Sequence, residues 1–264
     1  MALARSVRCN PSMMIRTLAV ILSLTSLSAC APGQVGAGSD ESSTADALRS
    51  CAHGAKVAGV DVSYFQGTIN WGAVADTSRG NKSFAFIRAN DGYTHDTKFA
   101  ANWQGAYDAG LYRGAYTFFR ASDDPTQQAE ALLNSIGWEL GDQDLPPVLD
   151  LEVKDGMSAA TVAKRAEVWL SYVYGVLGRR PIVYTGAGFE DLIGNPGALG
   201  DYPLWVANWT SSCPQMPAAW SAWEFWQNRV ASKGTVSGIS ASIDLDYFNG
   251  DADALAAYAG PHGG

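Results

Sequence analysis

The stretch Pro146-Pro147-Val148-Leu149-Asp150-Leu151-Glu152-Val153 carries two acids on what its composition predicts to be a short buried strand. Because side chains alternate across a strand, Asp150 and Glu152 are expected to point to the same side. An unpaired buried charge is costly, or is neutralised through a shift of its pKa. We therefore expect the pair at the open end of the strand, where one carboxyl group donates a proton and the other stays ionised, as glycoside hydrolysis requires. Two solvated acids, or acids paired with Lys154, are the alternative that the spacing leaves open.

Strand and helix patterns alternate on both sides of this stretch. Further strands are predicted within 57–63, 84–88, 114–119 and 181–185, and helices within 69–76, 99–109, 124–136 and 158–178. Three more strands, within 204–209, 223–227 and 243–248, follow without long helices between them. The alternation predicts an α/β domain with a parallel sheet, and eight strands in one domain favour closure into a barrel. A doubly wound open sheet is the alternative, but no glycine-rich phosphate loop follows the first strand.

Polar or aromatic residues stand near the end of each candidate strand. In a parallel barrel these ends meet at one face, which carries the chemistry. Acidic strand ends could in principle bind a divalent cation. Aromatic side chains among them favour a sugar instead, because flat apolar rings pack against pyranose C–H faces while carboxylates bind hydroxyl groups. The strand ends in question hold Asp61, Arg88, Tyr116, Asp150, Glu152, Tyr184, Trp209, Trp226, Gln227, Asp244 and Asp246.

The first thirty residues have the form of an export signal. Three arginines precede the apolar run 18–24, which is shorter than the ~20 residues that span a bilayer. We interpret 1–29 as a signal peptide. The sequence Leu-Ser-Ala-Cys at 27–30 resembles the bacterial lipobox, which predicts acylation of Cys30 and a lipoprotein of the cell envelope. Secretion without a lipid, after cleavage near Ala29 or Ala31, is the alternative.

The remaining chain is interpreted as a tether, one domain and a tail. Segment 30–56 is rich in Gly, Ser, Ala and Asp, which predicts flexibility. A catalytic barrel domain is predicted over 57–258 and a disordered tail over 259–264. Removal of 1–29 takes away the three arginines and moves the formal net charge from -8 to -11, which argues against nucleic acid as a partner. We expect a monomer that meets a membrane only through its lipid anchor.

Two cysteines, Cys51 and Cys213, lie outside the export signal. In an exported protein such a pair is expected to form a disulfide. Neither belongs to a C-x-x-C pair, and the three histidines are scattered along the chain. The sequence therefore predicts no metal site and no cofactor.

Four segments together resemble the glycoside hydrolase family 25 lysozymes, the Chalaropsis-type N-acetylmuramidases. They are Gly59-Val60-Asp61-Val62-Ser63-Tyr64-Phe65-Gln66-Gly67, Gly114-Ala115-Tyr116-Thr117-Phe118-Phe119-Arg120, Pro147-Val148-Leu149-Asp150-Leu151-Glu152 and Ile243-Asp244-Leu245-Asp246-Tyr247-Phe248-Asn249-Gly250. The resemblance extends over roughly 57–257, with the segments in the same order. It implies a single flattened TIM-like barrel of eight strands with about five helices, (β/α)5(β)3. It also implies hydrolysis, without a metal, of the β-1,4 bond between N-acetylmuramic acid and N-acetylglucosamine in peptidoglycan.

The same resemblance implies roles for individual residues. Glu152 would be the general acid, and Asp150 would either orient the substrate's acetamido group as it attacks or serve as the base in a direct displacement. Asp61 and Asp244 would be further acidic positions around the sugar, and Tyr116 the aromatic residue at the cleavage subsite. Tyr64, from the first of the four segments, and the strand-end residues Tyr184, Trp209 and Trp226 complete the set that we expect to bind the glycan strand. Thr117 departs from the pattern, because many members have His after this Tyr, and the departure bears on substrate preference.

Two other functions stay open at this point. A chitinase-like hydrolase would carry the motif D-x-D-x-E, but Val148 stands two residues before Asp150. A non-catalytic peptidoglycan-binding barrel usually loses the acid, whereas Glu152, Asp150, Asp61 and Asp244 are all present.

Overall fold

A computed structural model describes residues 48–79 and 82–263, and their strands close into a barrel. The described strands are β1 (Val57–Val62), β2 (Phe84–Asp91), β3 (Thr94–His95), β4 (Tyr112–Phe118), β5 (Val148–Asp150), β6 (Ile182–Thr185), β7 (Leu204–Ala207), β8 (Phe225–Ala231) and β9 (Ile243–Phe248). All except β3 form the barrel, while β3 pairs only with β2. The predicted eight-stranded barrel is confirmed, and the pairing of β1 with both β2 and β9 rules out an open sheet.

One strand of the barrel runs against the others. Six neighbouring pairs are parallel, from β1–β2 round to β7–β8, but β9 is antiparallel to both β8 and β1. An antiparallel partner needs no crossover helix, so the chain turns back through 232–242. The first residues of β9 therefore lie at the end of the barrel where the parallel strands finish. This reversal places Asp244 opposite Asp61.

Six α-helices occur in the described ranges, one more than the resemblance implies. They are α1 (Trp71–Ala75), α2 (Phe99–Asp108), α3 (Pro125–Ile136), α4 (Ala159–Leu177), α5 (Ala187–Leu192) and α6 (Ala252–Tyr258). The first four were predicted, and their caps explain their bounds. The Asp124 carboxylate accepts two backbone N–H groups at the start of α3, and Gly178 ends α4 in the left-handed conformation with φ 65°. The short helices α5 and α6 were not predicted.

The barrel interior is filled with aromatic rings. Phe86 stacks on Trp205 with the ring centroids 4.3 Å apart. Two strand glycines make room for such rings, because a Cβ at Gly59 would lie 2.3 Å from the Phe84 ring and one at Gly114 would lie 2.5 Å from the Phe86 ring. A second apolar layer fills the space between the barrel and its helices. The barrel strands are therefore closely packed on both sides, which holds their ends in fixed positions.

The predicted disulfide is confirmed: Cys51 is bonded to Cys213, with the Cα atoms 4.6 Å apart. The bond is part of a longer contact. Arg49 forms an antiparallel bridge with Gln215, in the loop that follows β7. Hence 48–51, which the sequence assigned to the tether, pairs with the barrel domain.

The C-terminal end of the domain is also hydrogen-bonded to the barrel domain. The Gly260 N–H donates to the carbonyl of Asp144 at 2.8 Å, and the Gly260 carbonyl accepts from Arg179. The start of the segment assigned to the tail therefore packs against the barrel. The predicted signal peptide and Cys30 lie outside the described residues. Within the described ranges, none of the helices combines the length and apolar character needed to cross a bilayer.

Candidate active site

A cleft of about 310 Å³ opens where the parallel strands end. It gathers residues from distant parts of the sequence, because barrel closure brings their strands together. Seven of the nine predicted site residues line it, namely Asp61, Tyr116, Asp150, Glu152, Tyr184, Trp209 and Asp244. Its walls also include Ser63, Phe65, Gln66, Arg88, Phe118, Trp205 and Gln227, to which the sequence assigned no role in binding or catalysis.

Asp150 and Glu152 face the cleft from the end of β5. The strand ends at Asp150, earlier than predicted, but the Leu151 N–H donates to the Tyr184 carbonyl at 2.9 Å and keeps the backbone extended. Leu151 is buried, which leaves the two acids on the opposite side from it, as their spacing predicted. Asp150 is buried at the base of the cleft, and Glu152 is exposed to the cleft solvent.

Burial raises the pKa of the Asp150 carboxyl well above its usual value. The charges of Glu152 and Asp61 raise that pKa further, and the guanidinium of Arg88 opposes the shift. Arg88 is itself held by an ion pair with Asp96, at 2.9 Å. Asp150 therefore keeps its proton to a higher pH than a free aspartate does.

The pKa of Glu152 is raised first by loss of hydration and then by the charge of Asp244, whereas Arg120 lowers it. The Glu152 side chain is exposed, so it loses less hydration than buried Asp150 and its pKa is raised less. An accessible carboxyl group with a raised pKa is suited to donate a proton to a ligand.

Three further acids lie on the paired strands β1 and β9. Burial, followed by the charge of Asp244, raises the pKa of Asp61 to about 8. Asp246 is 1% exposed, and its Oδ1 accepts a hydrogen bond from Trp205 Nε1 at 2.9 Å. Burial and the charge of Asp61 raise the pKa of Asp246 well above its usual value. The sequence places Asp246 at a strand end but predicts no role for it.

Gln227 connects three of the predicted residues and was not predicted itself. Its Nε2 donates to Asp61 Oδ2 at 2.9 Å. Its Oε1 accepts from Tyr184 Oη at 3.0 Å and from Trp209 Nε1 at 3.1 Å. One amide supplies both donors and acceptors, and Gln227 uses both to fix a carboxyl group and two aromatic rings.

Some buried acceptors in the cleft have no hydrogen-bond donor among the described residues, including Asp150 Oδ1 and Asp244 Oδ1. Leaving a buried acceptor unsatisfied is costly, so these atoms are suited to receive O–H or N–H groups of a ligand. No group of three or more His, Cys, Asp or Glu side chains in the described ranges is arranged to hold a metal ion.

Two predicted residues lie outside this cleft. Tyr64 lines a separate depression beside His95 and Asp96, although its neighbour Phe65 does line the cleft. Trp226 lies on the outer face of β8, because Gln227 points inward and side chains alternate. The structure therefore does not bring Tyr64 and Trp226 to the acids.

The chain is similar to known proteins over most of its described length. Residues 60–239 match the model of the family described as Glycosyl hydrolases family 25. The chain is 37% identical to the uncharacterized Escherichia coli K12 protein YegX over 204 residues, 76% of this chain and 72% of YegX. It is 34% identical to Lysozyme M1 of Streptomyces globisporus over 236 residues, 85% of this chain and 77% of that one. The crystal structure of the bacterial lysozyme from Streptomyces coelicolor superimposes with a TM-score of 0.70 at 34% identity, covering 77% of this chain and 96% of that one.

Proposed function

Because the chain belongs to glycosyl hydrolase family 25, we propose that Glu152 and Asp150 carry its reaction in the acid-lined cleft. The protein is a lysozyme, a muramidase that hydrolyses the β-1,4 bond between N-acetylmuramic acid and N-acetylglucosamine in peptidoglycan. The observation that carries the residue assignment is the position of two acids, one accessible and one buried, on the same side of one strand end.

Glu152 is the general acid in this proposal. Its carboxyl group is open to the cleft and can reach the oxygen that leaves the cleaved sugar. Its raised pKa keeps the proton available at a pH where a free glutamate has lost it. The charge of Asp244 helps to raise the pKa of Glu152. In this proposal Asp244 therefore acts electrostatically on Glu152 and also contacts the sugar.

Asp150 acts on the acetamido group of the substrate. A general base must be ionised, whereas burial raises the pKa of Asp150 well above its usual value. The unpartnered Oδ1 of Asp150 can accept the acetamido N–H whether or not the other oxygen carries a proton. These two observations favour the role in which Asp150 orients the acetamido group, over direct displacement by an activated water.

The remaining wall residues hold the glycan strand. Tyr116, Tyr184 and Trp209 supply ring surfaces for the sugars, and Asp61 supplies a hydrogen-bonding group beside them. Gln227 keeps Asp61 and Trp209 in place.

The decisive experiment separates this activity from the two alternatives. The purified chain is incubated with peptidoglycan and, in parallel, with chitin, and the soluble products are analysed by mass spectrometry. We expect fragments with N-acetylmuramic acid at the reducing end and little release from chitin. Soluble products from chitin but not from peptidoglycan would indicate a chitinase-like specificity, and sedimentation with peptidoglycan without cleavage would indicate a binding protein.

Its substrate places the enzyme outside the cytoplasm, at the cell envelope or beyond it. We further propose that the protein is a lipoprotein acylated at Cys30. The support is the sequence Leu27-Ser28-Ala29-Cys30 and the export signal before it. Mass spectrometry of the mature N-terminus tests this proposal. An acylated Cys30 is expected, and an unmodified terminus at another residue would refute the anchor.

A further inference from the structure

A second groove, of about 680 Å³, adjoins the catalytic cleft, and Trp209 lines both. We call it the outer groove. It lies on the outer face of β8 and β9, where Trp226 and Tyr247 are register partners. The described chain places no α-helix between β7 and β8 or between β8 and β9, so this part of the barrel keeps an accessible outer surface. The outer groove is lined by Lys56, Trp209, Thr210, Ser211, Trp226, Asn228, Arg229, Val230 and Tyr247.

The outer groove and the cleft differ in charge. The outer groove has two cationic residues in its lining, Lys56 and Arg229, and no carboxylate. Lys56 Nζ lies 4.5 Å from the centre of the Tyr247 ring, which holds the ammonium group at the groove. The cleft instead has four acids in its lining. An uncharged sugar suits the cleft, whereas an anionic group suits the outer groove.

A polar atom in the outer groove also lacks a partner. Asn228 Oδ1 is buried and receives no hydrogen bond from the described residues. An amide oxygen of this kind accepts N–H groups. Trp209, which is 67% exposed, offers a ring surface between the two regions. The ligand that satisfies these features carries both amide N–H groups and carboxylates, as a peptide does.

We propose that the outer groove binds the peptide stem attached to the N-acetylmuramic acid of the substrate. The carboxylates of the stem pair with Lys56 and Arg229, and a stem N–H donates to Asn228 Oδ1. Trp209 separates the bound sugar from the bound peptide, so a glycan strand in the cleft presents its stem to the adjoining groove. This inference rests on the proposed function and adds the part of the substrate that lies beyond the cleaved bond.

The test compares two substrates and four variants of the full chain. One substrate is peptidoglycan with its stems, and the other is the same glycan after an amidase has removed them. Lys56→Glu and Arg229→Glu are expected to raise KM on stem-bearing peptidoglycan roughly 2- to 5-fold, the effect of one partly exposed ion pair, with kcat unchanged. On the stripped glycan KM should not change. Lys56→Arg should retain the wild-type KM, and Lys233→Glu, an exposed position outside the groove, is the matched control.

Three outcomes would overturn the inference. The first is a KM that is unchanged in both charge-reversal variants on stem-bearing peptidoglycan, and the second is an equal rise in KM on both substrates. The third is a KM difference that disappears once wall teichoic acid is removed, because the groove would then bind that polymer and not the stem. If the wild-type chain cleaves neither substrate, the catalytic proposal fails. In that case, calorimetry tests separately whether the outer groove binds the stem. Binding of a free stem tetrapeptide is compared between the wild type and Lys56→Glu, and weaker binding to Lys56→Glu is expected.

Discussion

Asp61 and Asp244 face each other directly across the antiparallel pair β1 and β9. The charge of Asp244 contributes to the raised pKa of Asp61, about 8, and also to the raised pKa of Glu152. Asp244 therefore acts on two acids at once. The reversal of β9 makes this possible, because it brings the beginning of the last strand to the end of the first.

The assignment of Glu152 predicts a large loss of activity on removal of its proton. Glu152→Gln keeps the size of the side chain, and hydrolysis of peptidoglycan should fall by ~100-fold or more. Release of reducing ends measures the loss, and circular dichroism checks the fold. Glu139→Gln, an exposed position outside the cleft, is the matched control. Wild-type turnover in a folded Glu152→Gln variant would refute the general acid.

The role of Asp150 is tested with a modified substrate. If Asp150 orients the acetamido group, Asp150→Asn should reduce kcat severely on N-acetylated peptidoglycan. It should add little further loss on peptidoglycan whose amino sugars have been de-N-acetylated, because that substrate lacks the group on which Asp150 acts. An equal fold-loss on both substrates would instead identify Asp150 as a base for water.

The pH profile of kcat should shift in opposite directions in two variants. Asp244 raises the pKa of Glu152, so Asp244→Asn should move the alkaline limb of activity to lower pH. Arg120 lowers the same pKa, so Arg120→Gln should move that limb to higher pH. Arg120 also pairs with Asp91, and melting curves must show that the variant is folded at each pH. A shift in the same direction for both would show that another group controls the limb.

The stability of the fold should depend on the proton of Asp61. Its pKa is about 8 in the folded chain, against about 3.9 in an unfolded one. Between these values the folded state holds a proton that the unfolded state has lost, so the free energy of unfolding falls as pH rises, by at most about 1.4 kcal/mol per pH unit for this group. Denaturant unfolding between pH 5 and 8 measures this fall in the free energy of unfolding. The fall should be smaller in Asp61→Asn than in the wild type. It should be unchanged in Asp253→Asn, a control at an exposed position.

The disulfide should contribute to stability and not to catalysis. Cys51 and Cys213 are separated by 162 residues, and closing a loop of that size stabilises by ~5 kcal/mol at most. Cys51→Ser together with Cys213→Ser should lower the melting temperature and leave kcat at moderate temperature unchanged. A marked loss of kcat below the melting transition would mean that the bond also shapes the cleft.

The sequence predicted the acids because strand alternation depends only on spacing. Asp150 and Glu152 are two residues apart, and their common side follows from that alone. On β8 the sequence places Trp226 and Gln227 next to each other, and which of the two faces the barrel interior cannot be determined without the register of β8 to β7 and β9. The role of Gln227 was missed for the same reason. The direction of β9, which brings Asp244 to Asp61, likewise depends on pairing between distant segments.

The bridge between Arg49 and Gln215, beside the disulfide, also has a mechanical consequence. A force applied to the chain ahead of Leu48 would load the covalent bond between Cys51 and Cys213 before it reached β1. Asp61 and its neighbours on β1 would thus be shielded from that tension.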